Sequence, residues 1–90
     1  MLTAAERKAL RAKAHKLVPV VQIGVRGLTD EVIAEIDRAL RAHELIKVRA
    51  AMLDRERRDD AFASMCQKTN AEQVQQVGKV FVLFRKNNDE

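Results

Sequence analysis

Gly24-Val25-Arg26-Gly27 is the stretch of this chain best suited to hold a charged ligand. A β-branched run, Val18 to Ile23, ends at it, and Thr29 with Asp30 and Glu31 opens a helix directly after it. The local order is therefore strand, loop, helix. Glycines at both ends of a short loop let a phosphate come within hydrogen-bonding range of backbone N–H groups, because no Cβ stands in the way. Arg26 adds a guanidinium that can pair with phosphate oxygens. The same four residues also describe a plain tight turn, so the loop becomes a site only if the rest of the sequence supports it.

Other residues capable of chemistry are thinly spread. His43-Glu44 begins like a zinc-protease signature, but the position four residues after His43 is Lys47, so the second ligand is missing. His43 fits better as the closing residue of a helix, where its charge suits the dipole. Cys66 falls on an apolar helix face beside Phe62 and Met65, where a thiol is buried and inert. His15 has no neighbouring nucleophile. The sequence therefore predicts no enzyme, no catalytic residue, no metal, no cofactor and no small-molecule substrate.

The net charge of +4 is unevenly distributed. Up to Leu28, Arg7, Lys8, Arg11, Lys13, Lys16 and Arg26 stand against Glu6 alone, whereas acids and bases nearly cancel over the rest. The excess surrounds the glycine loop, where a polyanion would feel it. With no Trp or Tyr and three Phe, stacking on aromatic platforms cannot be the main mode of recognition. The expected ligand is RNA, held by charge, backbone amides and shape. A protein-interaction adaptor that docks on other proteins without direct RNA contact is the alternative. The chain of 90 residues predicts a single domain over 1–90, with 86–90 as a frayed tail. No apolar run is long enough to cross a membrane, and one cysteine cannot form an internal disulfide, so a cytoplasmic protein is expected. Oligomeric state is not readable from these features.

These residues must be positioned by the elements around them. Thr3-Ala4-Ala5-Glu6 reads as a capping box for a first helix to about His15, with Leu10, Ala14 and Leu17 as its buried seam. Arg7, Lys8, Arg11 and His15 form a basic stripe on a neighbouring face. Val18 to Ile23 is apolar on both sides apart from Gln22, which predicts a central strand. A second helix is expected from Asp30 to about Ala42. Ile46 to Ala51 follows as a strand with Lys47 and Arg49 on its wet face. Asp54 caps a third helix to about Thr69, stopped by Asn70. Its first turns are charged on every side and should be solvated. Gln73 to Val77 and Lys79 to Arg85 read as two strands meeting near Gly78. The predicted class is α+β, a two-layer α/β sandwich in the order α-β-α-β-α-β-β with a four-stranded sheet.

The run Leu17-Val18-Pro19-Val20-Val21-Gln22-Ile23-Gly24-Val25-Arg26-Gly27-Leu28-Thr29 closely resembles the CRM domain, named for chloroplast RNA splicing and ribosome maturation, in its stand-alone bacterial YhbY-type form. Val32, Glu35-Ile36, Ala39-Leu40 and His43-Glu44-Leu45-Ile46-Lys47-Val48 continue the likeness. So do Asp54-Arg55-Glu56 and the closing Gln75-Gln76-Val77-Gly78-Lys79-Val80-Phe81-Val82-Leu83-Phe84-Arg85. The resemblance implies a fold similar to the C-terminal domain of translation initiation factor three, with a mixed sheet and helices on one side. It also implies RNA binding through the loop that maps to Gly24, Val25, Arg26 and Gly27, in which Arg26 is not demanded by the family pattern, with association to ribosomal RNA on precursors of the large ribosomal subunit. Lys47 and Arg85 match family positions. Arg7, Lys8, Arg11 and Arg49 join the expected RNA surface on charge alone.

Overall fold

The computed structural model describes residues 2–87. Its elements are α1 (Ala4–Ala14), β1 (Val21–Gln22), α2 (Asp30–His43), β2 (Leu45–Arg49), α3 (Arg55–Thr69), β3 (Glu72–Val77) and β4 (Val80–Phe84), in the expected order. Capping residues set the helix starts. Thr3 accepts from the Glu6 amide at 3.0 Å while its own N–H donates to Glu6 Oε1 at 2.8 Å. Thr29 accepts from the Val32 amide at 3.1 Å, and Asp54 from the Arg57 amide at 2.9 Å. Asn70 ends α3 in the left-handed region at φ 61°, as asparagine tolerates.

The sheet is mixed and runs β1-β2-β4-β3. β1 lies parallel to β2, whereas β2 with β4 and β4 with β3 are antiparallel. β3 and β4 are joined at Gly78-Lys79, with Gly78 at φ +57° in the first turn position, where an L side chain would be strained. A register shift between Gln73 and Gln75 makes Val74 an extra residue, and its buried side chain packs towards α1.

β1 is an edge strand, which corrects the expectation of a central strand over Val18 to Ile23. Two residues form its ladder, extended by the Val20 amide to Lys47 O at 3.0 Å and the Ile23 amide to Arg49 O at 2.8 Å. Pro19 has no N–H to contribute, and Val18 is 72% exposed, so the apolar run is not buried on both faces. The strand buried on both faces is β4, whose consecutive Phe81, Val82 and Leu83 are all covered.

The core lies chiefly between the sheet and α2 with α3. Ile36, Leu40, Ala61, Phe62, Met65 and Cys66 meet Val21, Ile23, Ile46, Val48, Phe81 and Leu83. The Phe62 and Phe81 rings stack with centroids 4.6 Å apart. Removing Leu40 or Ile36 to Ala would cost about 2–5 kcal/mol, since neither side chain has exposed surface. The expected two-layer sandwich with helices on one side of the sheet holds for α2 and α3, and α1 corrects it by adding a third layer. α1 covers the opposite face, packing Ala14, Leu10 and Leu2 on Val74, Val82, Leu45 and Phe84. The reason is visible in β4: Val82 points away from Phe81 and Leu83 and needs a cover of its own.

Arg85 and Asn87 are tied to α2 and the end of α3. The Arg85 guanidinium donates to Asp37 Oδ1 at 2.6 Å and to Thr69 O at 2.8 Å. Asn87 donates its amide N–H to Glu44 Oε2 at 2.8 Å and its side-chain N–H to Arg41 O at 2.8 Å, closing the C-terminus of α2. The expected frayed tail therefore does not begin at 86, and Asn88 to Glu90 lie outside the described residues.

Candidate nucleic-acid interface

Strand directions decide what meets at the loop. β1, β2 and β3 all end, and β4 begins, at one end of the sheet. The loop Gly24 to Gly27, the N-termini of α2 and α3, and the Gly78-Lys79 turn therefore gather there. The Ala50 amide donates to Lys79 O at 2.7 Å, tying two of these connections together.

The loop is held by its own backbone. Gly27 donates to Gly24 O at 3.0 Å, and Thr29 donates to Gly27 O at 3.1 Å. The amides of Val25 and Arg26 take no part in these bonds. Gly24, Val25 and Arg26 are exposed, Val25 by 66%. A Cβ on Gly24 would meet nothing within 4 Å, so the backbone there is open to a ligand. Gly27 is different. It is buried, adopts φ +75°, and the point where its Cβ would stand lies 3.5 Å from Arg57 Nη2. One glycine opens the surface and the other makes the bend.

The N-terminus of α2 offers less positive charge than the loop order suggests. The Thr29 hydroxyl already takes the Val32 amide, and Asp30 and Glu31 stand exposed in the first turn. The groups left without a partner at this end, among the described residues, are the Val25 and Arg26 amides and the Arg26 side chain.

The expected basic neighbours separate into groups. Lys47 pairs with Val82 and Arg49 with Val80, so both project to the α1 side of the sheet. There Lys47 joins Arg11, His15, Gln75, Val77 and Val80 around a groove of about 230 Å³. Arg49 is exposed on the same face, closer to the loop. Arg7 donates Nε to Gln73 O at 3.3 Å, at the end of the sheet far from the loop. Lys8 is exposed on α1.

Arg85 is not part of this surface. Its side chain is 17% exposed and committed to Asp37 and Thr69, and it holds the Asp37 carboxyl below its ordinary value through a hydrogen bond. Its position is explained by joining α2 to the end of α3.

Arg57 is the neighbour that sequence reading missed. The first turns of α3 looked charged on every side, yet Arg57 lies one helical turn before Ala61 and so points the same way. With Gly27, Leu28, Leu53, Asp60, Ala61 and Ser64 it lines a cleft of about 320 Å³ beside the loop. Cys66 lies on the core side of α3 as expected, and burial pushes its thiol pKa up to about 12.

Fold and loop together define a small α+β domain that presents an open glycine turn and free cations at the shared end of a mixed sheet. The model of the CRS1/YhbY (CRM) domain family matches residues 2–85, and the chain belongs to that family. It is 42% identical over 88 residues to an RNA-binding protein of Haemophilus influenzae, covering 98% of this chain and 89% of that protein. It is 35% identical over 89 residues to "Probable RNA-binding protein YqeI" of Bacillus subtilis, covering 99% and 93%. The solution structure of the hypothetical protein SAV1595 of Staphylococcus aureus, itself described as a candidate RNA-binding protein, is similar with a TM-score of 0.86. That match has 31% identity and covers 99% of this chain and 93% of the other.

Proposed function

We propose that this domain binds RNA, with the sugar-phosphate backbone seated on Gly24 to Gly27 and Arg26 paired to a phosphate. Arg49, Lys47 and Arg11 continue the basic surface across the α1 side of the sheet and neutralise flanking phosphates. Lys8 is a peripheral cation, Arg7 anchors α1, and Arg85 serves the fold. The reading rests on one observation: among the described residues, the Gly24 backbone is open, with nothing beyond its chain neighbours within 4 Å of its Cβ position, next to a guanidinium that has no partner. The names of the relatives support RNA as the ligand class. The family resemblance carries the finer proposal, that the RNA is ribosomal and is met on precursors of the large subunit during their maturation.

Gel retardation of naked large-subunit ribosomal RNA by the purified chain tests the first part, with the shift lost at high salt. Absence of retardation at low salt would overturn it and leave the adaptor that docks on ribosomal proteins. Crosslinking in cells followed by sequencing of the attached RNA tests the second. Enrichment in large-subunit ribosomal RNA is the expected result, and an even spread over transcripts would overturn it.

A further inference from the structure

The cleft between the loop and α3 has the makings of a base-reading pocket. Gly27, Leu28, Leu53 and Ala61 supply glycine and apolar walls, while Arg57, Asp60 and Ser64 bring polar groups from one face of α3. The cleft, about 320 Å³, is shallow and open to solvent, so a base would lie across it with its edge against the α3 side chains. The pocket opens directly beside Gly27, so a nucleotide whose phosphate rests on the loop has its base within reach. Among the described residues, neither the Arg57 nor the Asp60 side chain has a hydrogen-bond or ion-pair partner, although they stand three residues apart on the helix. Both keep their full hydrogen-bonding capacity for a ligand.

We infer that this cleft takes a guanine base of the bound RNA, with the Asp60 carboxylate accepting from N1–H and the 2-amino group and the Arg57 guanidinium donating to O6. Guanine is the one RNA base with two neighbouring donors on its pairing edge, which is the pattern a carboxylate satisfies with both oxygens. An adenine or a pyrimidine leaves one carboxylate oxygen unmatched against an acceptor or a C–H. The inference deepens the RNA-binding reading and rests on it.

The test is fluorescence anisotropy of the full chain with three short RNAs: a uridine tract, the same tract with one central guanosine, and the same with inosine there, which lacks the 2-amino group. Guanosine should bind on the order of tenfold tighter than uridine, as a bidentate base contact does, with inosine between them. Asp60→Ala, at an exposed position, should abolish the preference while raising affinity for the uridine tract, because it removes a negative charge. A purely electrostatic role for Asp60 would raise affinity for all three RNAs and keep their ratio. That result, or equal binding of the three RNAs by the unchanged chain, overturns the guanine pocket and leaves RNA binding standing. Binding of none of them at low salt overturns the RNA reading itself, and the pocket with it.

Discussion

Arg57 Nη2 lies 3.5 Å from the point where a Cβ would stand on Gly27, so the two ends of the glycine loop have different duties. Gly27 sits under a side chain from α3 at φ +75°, a conformation that costs an L residue about 1–2 kcal/mol. Gly24 has ordinary backbone geometry and open space around it. Gly27→Ala should therefore lower the melting temperature by about 5 °C or more, whereas Gly24→Ala should leave it unchanged and weaken RNA binding. Thermal unfolding paired with a retardation titration checks both. Equal melting temperatures for the two variants would refute the division of labour.

Arg26→Ala should reduce the slope of log affinity against log salt by about 0.7–0.9, the share of one neutralised phosphate. Lys47→Ala and Arg49→Ala should act the same way, because both side chains face the α1 side with the groove. Titrations at several salt concentrations give the slopes.

Arg85→Ala should behave in the opposite manner. Losing the hydrogen bonds to Asp37 and Thr69 should cost about 2 kcal/mol of stability, the range for bonds to charged groups in a partly buried place. The salt slope of the folded fraction should stay as it was. Urea unfolding at neutral pH measures the first, and a changed slope in RNA binding would return Arg85 to the interface.

The same contact sets an acid dependence. Hydrogen bonding and charge from Arg85 lower the Asp37 pKa from its ordinary value of 3.8. A carboxyl lowered by folding contributes stability that is complete above its unfolded value and lost as pH falls through the folded one. The contribution should therefore be whole at pH 5 and above and fade below about pH 4. Asp37→Asn should be less stable than the parent at neutral pH and should lose less on acidification, as read by urea midpoints across that range.

Cys66 should resist thiol reagents in the native state. Its side chain is buried and its pKa stands near 12, so almost no thiolate is present at neutral pH. Labelling by an aromatic disulfide should follow unfolding and accelerate with urea. Rapid labelling without denaturant would contradict the packing of α3.

Where local chemistry dominates, the sequence was readable. Thr3, Thr29, Asp54 and Asn70 carry the helix limits in their own side chains, and Gly78 marks the last hairpin. What escaped depended on partners distant along the chain. Val18 to Ile23 has the composition of a buried strand, but Val18 and Val20 stay exposed at the edge of the sheet. Arg85 looks like one more surface cation until Asp37, 48 residues away, is brought against it. Arg57 could have been found by carrying the helical spacing of Ala61 back one turn, which sets its exposed side chain on the flank of α3 that borders the loop.

The loop follows a strand that contributes two residues to the sheet and has a neighbour on one side alone. Backbone amides at such a margin exchange with solvent through small local openings, well below the free energy that unfolds the interior. A polynucleotide laid across Gly24 would fasten this margin from outside. The grip would then be felt inward, as slower deuterium uptake at Val21, Ile23 and the β2 residues they face, without any change in the shape of the domain.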